Sequence, residues 1–470
     1  MNAACDFSRV RRAAAIGCVA ALAALAITIG AAPPAHALEI KRMQLPNGAV
    51  LLVSEEHQLP MVTMSIAFDA GGRRDPKGKA GLAVLTADCM TQGTKSIPAT
   101  EFNQKVDFMG SSVGISAGRD YSVASMTSLK KYEKQTLDLL AGILVNPGLR
   151  SADIERKRAE QVADIKASEE QPGYVADVSF IGGLFGAGTP YGHPENGTPE
   201  SVAKLSAADV REFYQAHYKP GGAVIAVVGD VKADEVKALL EQELKGLSGA
   251  VPPQSAPPPP TVPGGVETKL IDRNVRQANI IMGFGGIARS NPDYYKIQVM
   301  NYILGGGGFA SRLMKVVRSS HGLAYSIGSL FDARKFPGPF AVVLQTKNSS
   351  SNEAIKLVLE QLRGIQHTPV NDAELSSARK YLIGSFPLKI DRQSSIAGFL
   401  LQIQLNDLGL DYADKYPKLI GAVSKQDVLE VAKKYLHPDS ILLVAVADQK
   451  EAAINTKMLA QVAAGKTAAQ

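Results

Sequence analysis

The sequence predicts an α+β fold of two homologous domains, each an antiparallel-rich sheet covered by helices. Three observations carry this. Apolar strands and helical runs follow one another without regular βαβ alternation. A proline-rich linker, residues 251–264 (VPPQSAPPPPTVPG), cannot pack as helix or sheet and divides the chain into parts of similar length. Landmarks of the first part also recur in the second. Arg73-Arg74-Asp75-Pro76 follows the apolar strand 61–68, and Arg289-Ser290-Asn291-Pro292 follows the strand 278–284, 216 positions later. Ser206 and Asp209 open a helix that ends near Tyr218, while Ser424 and Asp427 open one that ends near Tyr435, 218 positions later. Both Ser-x-x-Asp units have the form of a helix N-cap with an acidic third residue. Two unrelated landmarks sharing nearly one offset point to a duplication.

Taken in order, the chain opens with Arg9, Arg11 and Arg12, an Ala-rich apolar run at 13–32, and the small-x-small box Ala35-His36-Ala37. This is the pattern of a secretory signal peptide, residues 1–37, cut after Ala37. The run is nearly long enough for an uncleaved anchor, but its alanine content and the cleavage box favour removal and leave no stable membrane span. Cys5 and Cys18 depart with the signal, so the mature chain keeps Cys89 alone. An internal disulfide and the Cys-based zinc and redox patterns are thereby excluded. An exported chain without disulfides is expected in a Gram-negative periplasm.

The first domain, 38–250, reads as strands 49–54 and 62–67, a helix over 81–90, strands 112–117 and 122–128, and helices 132–144 and 152–170. The helix from Ser206 and the strand 223–228 close it. The second domain, 265–464, carries strands 278–284 and 441–446 with the helix from Ser424 between them. Residues 465–470 form a small polar tail. Composition is that of an ordinary globular protein, 45% hydrophobic and 20% charged, with a formal charge of +6 and no basic tract. Nucleic acid is not implied.

One stretch invites chemistry. Residues 305–326, GGGGFASRLMKVVRSSHGLAYS, start with four glycines, run through a helix-like segment at 309–317 to Arg318, and turn at His321-Gly322 into a strand start bearing Tyr325. Glycines let another chain approach the backbone closely. An Arg and a Tyr beside a turn can converge as donors on one carbonyl. On spacing alone, the same residues also suit a helix N-terminus, a surface Arg and a half-buried Tyr.

The chain resembles the insulinase/pitrilysin family of zinc peptidases over nearly all of its mature length. The resemblance rests on Leu45-Pro46-Asn47-Gly48, Gly71-Gly72-Arg73, Thr189-Pro190-Tyr191-Gly192 with Gly197-Thr198, and Val228-Gly229-Asp230. In the second domain it rests on Leu304-Gly305-Gly306-Gly307 with Ser311-Arg312-Leu313, then Arg318, then Gly322-Leu323-Ala324-Tyr325-Ser326. It implies two homologous α+β domains forming half of a clam shell around an unfolded peptide. It also implies a catalytic helix with an inverted zinc motif, H-x-x-E-H. Two His one turn apart bind the metal, the Glu acts as general base, and a Glu from a later helix completes the site.

The matching helix here runs from Gly81 to Thr94, with Val84 and Asp88 at the two His positions and Ala87 at the base. Glu155 matches the later Glu as a remnant. No other His pair lies within one helical turn. Two carboxylates without an imidazole form a poor zinc site, so no cofactor is expected in this chain and no complete catalytic set. The resemblance carries the family's substrate-binding, transition-state pair onto Arg318 and Tyr325, with Gly305, Gly306 and Gly307 beside them. The chain thus resembles the non-zinc subunit of a heterodimeric family member, similar in principle to mitochondrial processing peptidase. The expected partners are a homologous zinc-binding subunit carrying H-x-x-E-H and an extended peptide, with the zinc held by that partner. Two alternatives remain: an inactive peptide-binding or scaffold protein of the envelope, and an active metallopeptidase using Asp88 and Glu155.

Overall fold

The computed structural model describes residues 38–465 of the 470-residue chain. The expected signal peptide and residues 466–470 of the expected tail lie outside the described residues. From Ile40 onward the chain forms one compact unit.

Two sheets organise it. The first contains β1 (Lys41–Gln44), β2 (Val50–Glu55), β3 (Met61–Phe68), β4 (Ser112–Ala117), β5 (Ser122–Leu129) and β6 (Val224–Gly229), in the order β1-β2-β6-β3-β5-β4. The second contains β7 (Val266–Asp272), β8 (Gln277–Gly285), β9 (Ala324–Phe331), β10 (Pro339–Lys347) and β11 (Ile441–Ala447), in the order β7-β11-β8-β10-β9. Without the edge strand β1, the two orders are the same. In each sheet one pair is parallel, β2 with β6 and β7 with β11, and the other pairs are antiparallel. The strands expected from sequence all form, as does the duplication. The mixed content of two helix-covered sheets is the α+β architecture expected.

Six helices matter for the site and for the joining of the halves. They are α1 (Leu82–Met90), α2 (Ser151–Glu169), α3 (Pro172–Phe185), α4 (Ala207–His217), α5 (Gln393–Leu405) and α6 (Lys425–Tyr435). α4 and α6 both begin with full capping boxes, Ser206 with Asp209 and Ser424 with Asp427. Each side chain satisfies the other's exposed backbone N–H, which fixes where the helix starts.

The sequence did not reveal how the two halves interlock. α3 belongs to the first half but lies on β8 and β11 of the second sheet, and α5 belongs to the second half but lies on β3 and β6 of the first. Phe180, Ile181, Leu184 and Phe185 of α3 share an apolar cluster with Ile281, Ala341, Leu442, Val444 and Val446. A Cβ at Gly183 would meet a Leu442 methyl at 2.6 Å, so α3 lies close enough to β11 that a larger residue there would make the Leu442 side chain shift. The exchange covers both faces of the central strands. That is why β6 and β11 are buried along their whole lengths and read as continuous apolar runs.

The proline-rich stretch takes no helix or strand but is tied to both halves. Gln254 Nε2 donates to the Arg73 carbonyl at 2.9 Å, Arg74 Nη1 donates to the Pro252 carbonyl at 3.1 Å, and Pro260 lies against Gly285. The duplicated arginines have diverged in their surroundings. Arg73 is buried and paired with Asp69, whereas Arg289 is buried over the Tyr294 ring at 3.7 Å and donates to the Tyr412 hydroxyl at 2.9 Å.

His217, at the C-terminus of α4, packs its ring at a tilt against Phe213, with centroids 4.5 Å apart. Burial, aided by Arg74 and Arg73, pushes its imidazole down to about 4. A His with a depressed folded pKa favours folding above its unfolded value of about 6.5, and that contribution is lost as pH falls toward 4. Wild-type stability is therefore expected to fall between pH 6.5 and 4 by on the order of 2 kcal/mol more than that of His217→Gln. Urea unfolding of both proteins across that range checks this; parallel profiles would refute it.

Candidate functional site

In the first half, the helix that corresponds to the family's metal-binding helix is held by Asp75. Its carboxylate accepts from the N–H groups of Gly81 and Ala83, each at 2.8 Å. Gly81 sits at φ 92, and a Cβ there would meet the Asn196 carbonyl at 2.5 Å. The helix register expected from sequence is thus fixed by backbone geometry. On it Val84 is half-buried, Ala87 is buried and Asp88 is half-buried.

Asp88 faces α2, where its charged neighbours are Lys157, Glu160 and Asp164. Burial raises the Asp88 carboxyl; Lys157 opposes this, and Glu160 and Asp164 add to it. Glu155 is not among these neighbours. It is exposed and paired with Arg158 on its own helix. The expected remnant at Glu155 is therefore corrected: the carboxylates that α2 turns toward Asp88 are Glu160 and Asp164. Residues 157, 160 and 164 share one helical face, a spacing that could have identified them in the sequence.

This donor set does not fit zinc. It offers carboxylates and an ammonium but no imidazole or thiolate. The nearby Cys89 is buried, and burial with the Asp88 charge pushes its thiol up to about 12. Among the described residues, no group of three His, Cys, Asp or Glu gathers in a way that could hold a metal ion. His57 is tied to Asp230 at 2.7 Å, and His193 lies between the Gly72 and Pro194 carbonyls. The pairing of Asp88 with Glu155 needed for a non-standard metal site is not formed. Glu155→Gln removes only an exposed pair, so it is expected to change unfolding free energy by less than about 0.5 kcal/mol. Chemical denaturation tests this, and a loss several times larger would show a role the geometry lacks.

In the second half, the glycine run is shaped by unusual backbone. Residues Tyr302–Gly306 and Met314–Ser320 are π-helical, with a 3₁₀ turn Gly308–Ala310 between them. Gly307 N–H donates to the Tyr302 carbonyl at 2.9 Å and His321 N–H to the Val316 carbonyl at 3.2 Å. This replaces the single helix expected at 309–317. Such five-residue hydrogen bonding often occurs at functional sites.

The glycines are also less bare than expected. Gly305 is buried, and a Cβ on it would meet the Ser329 backbone N at 2.6 Å. A Cβ on Gly306 would meet the Asn301 amide at 2.7 Å, and one on Gly307 the Tyr302 carbonyl at 2.6 Å. Only Gly308, at φ 55, faces open space among the four. The run lets the π turn pack against β9.

Arg318 lies in the second π segment. Its guanidinium sits 5.0 Å from the exposed Phe309 ring, and Nη1 is 3.9 Å from Met314 Sδ. Among the described residues no carboxylate pairs with it. Tyr325 is 70% exposed, so the half-buried alternative does not hold. It lies on β9, an edge strand, where the pairing shifts from Ser326 opposite Gln345 to Ala324 opposite Thr346. Tyr325 is thus the extra residue of a β-bulge, a device that re-aims a side chain. The segment bearing Arg318 packs against β9. This corner presents a cation without a counter-charge, an exposed phenol and an unpaired strand edge.

Residues 50–178 match the family model for insulinase (peptidase family M16), and residues 204–382 match that for the peptidase M16 inactive domain. A non-peptidase homolog, YmxG, from Helicobacter pylori is 26% identical over 88% of this chain and 94% of its own length. An uncharacterized zinc protease from Streptomyces coelicolor is 25% identical over 84% and 87%. Cytochrome b-c1 complex subunit 1 from Bos taurus mitochondria is 27% identical over 57% and 55%. The crystal structure of a peptidase M16 inactive domain from Pseudomonas fluorescens superposes with a TM-score of 0.81 at 27% identity, covering 87% of this chain and 98% of that one.

Proposed function

This chain belongs to the insulinase (M16) peptidase family with its metal motif lost, and from that premise we propose that it is the periplasmic non-metal subunit of a heterodimeric zinc peptidase. In this reading it binds an extended peptide and presents Arg318 and Tyr325 to the site of a homologous subunit that carries H-x-x-E-H and the zinc. The observation that carries it is Arg318, held without a carboxylate partner among the described residues, beside a bulge that exposes Tyr325. Two such donors suit a peptide carbonyl on which negative charge develops. The edge strand β9 supports the same reading, because its outer N–H and C=O groups can pair with an extended chain.

The test is reconstitution. The mature chain is mixed with an H-x-x-E-H homologue of similar length from the same genome, and peptide cleavage is followed. Activity of the mixture well above that of either chain alone is the expected result. A mixture no faster than the partner alone would overturn the proposal.

A second reading is a scaffold or peptide-binding subunit without hydrolysis in any complex. It is favoured by the similarity to a cytochrome b-c1 complex subunit and to a chain called a non-peptidase homolog. It predicts stable association with a partner and no cleavage by the assembly.

A further inference from the structure

The two sheets differ at one edge. In the first, β1 pairs antiparallel with β2 and covers its outer side, with Gln44 opposite Val50 and Lys41 opposite Val53. In the second, β7 takes the place of β2. Val266 begins the parallel pairing with β11 as Val50 begins that with β6, and it stands 216 positions later in the chain. Among the described residues, no strand lies outside β7. The same offset carries β1 onto residues 257–260, which are all proline. Proline has no N–H to give to a ladder, so the linker cannot supply the missing strand.

The outer side of β7 is therefore bare. The Ile441 N–H donates to the Gly265 carbonyl and the Arg273 N–H donates to the Ala447 carbonyl, each at 2.9 Å. In a parallel pair, residues whose N–H and C=O face the neighbouring strand alternate with residues whose groups face away. Gly265, Glu267, Lys269, Ile271 and Arg273 thus face β11, and the N–H and C=O groups of Val266, Thr268 and Leu270 point outward. Among the described residues, these three make no further backbone hydrogen bond. Leu270 is 40% exposed, and the Glu267 and Lys269 side chains are exposed beside it.

We propose that β7 pairs with β7 of a second copy of this chain, antiparallel about a twofold axis at Thr268, so that two five-stranded sheets become one continuous sheet. The strand VETKLID is self-complementary in that register. Thr268 faces Thr268 of the second copy, Val266 faces Leu270, and Glu267 faces Lys269, the last two pairs occurring twice. The outward groups of Val266, Thr268 and Leu270 then exchange hydrogen bonds. Thr–Thr and opposite-charge pairs are both favourable across strands. Moving the axis to Leu270 would set Lys269 against Ile271 instead, so the two charges select the register. The strand β9, with Arg318 and Tyr325 at its corner, is the opposite edge of the same sheet. The pairing leaves that corner free and is independent of the peptidase-subunit reading.

Sedimentation velocity of the mature chain over a range of concentrations tests this, and a monomer–dimer equilibrium is the expected result. Lys269→Glu sets Glu against Glu twice and is expected to raise the dimer Kd roughly tenfold or more. Lys269 is exposed, so the variant is expected to keep the wild-type unfolding curve. Adding Glu267→Lys to it restores both pairs with their charges exchanged, and the double variant should return to within roughly threefold of the wild-type Kd. A dimer joined through another surface would respond to neither change. Three results would overturn the proposal: a wild-type chain monomeric at every concentration, which would leave the edge to a strand of another protein; a dimer that Lys269→Glu does not weaken; or a double variant no tighter than Lys269→Glu.

Discussion

Arg318→Ala in the reconstituted pair is expected to lower kcat/KM for peptide cleavage by about 10²–10³, the loss typical of removing one donor to a developing oxyanion. Assembly should survive, because Arg318 makes no ion pair among the described residues and its ring contact is with the exposed Phe309. Light scattering of the variant with its partner checks the assembly, and initial rates check the chemistry. Tyr325→Phe should also reduce the rate, and the double variant should lose less than the product of the two, as expected for groups acting on one atom. Full activity of Arg318→Ala in an intact complex would end the role assigned to this corner. Loss of activity together with loss of assembly would instead make Arg318 an interface residue.

Phe180→Ala is expected to cost about 3–5 kcal/mol of stability, the range for truncating a buried Phe. Phe180 is 1% exposed and fixes α3 of the first half onto the second sheet. The cavity would open between the halves, so the loss should appear as a lower denaturation midpoint for the whole chain. Phe108, which is 82% exposed, provides the control: Phe108→Ala should stay within about 0.5 kcal/mol of wild type. A Phe180→Ala cost under about 1 kcal/mol would show that α3 does not pin the halves.

The sequence was most legible where the physics is local. Ser206 with Asp209 and Ser424 with Asp427 close the same capping boxes on the same kind of helix, and the strand after each is central in its sheet. The interlocking helices were not legible. α3 and α5 are apolar on several sides, so their patterns carry little helical periodicity, and nothing local says which sheet they cover. The candidate site shows the same division. Arg318, Tyr325 and the Gly322 turn were found by residue type and order. The π segments and the bulge at Tyr325 depend on hydrogen bonds that sequence spacing does not encode. Glu155 matches the family's later Glu by residue type alone, whereas the helical face of α2 puts Glu160 and Asp164 toward Asp88 and leaves Glu155 paired with Arg158.

The exchange of α3 and α5 between the two sheets is the geometry of a domain-swapped pair of identical subunits whose chains have been joined end to end. Joining them turns a bimolecular encounter into an intramolecular one, so completing each sheet's cover no longer depends on protein concentration. The cost falls on the nascent chain. When synthesis has reached the proline-rich stretch, the first sheet still lacks α5, and α3 has no sheet to cover. The first half must wait for the second with apolar surface in water, which makes chain synthesis the interval of greatest aggregation risk. Residues 38–250 made alone are thus expected to be insoluble, and to become soluble when residues 265–464 are made beside them in the same cell.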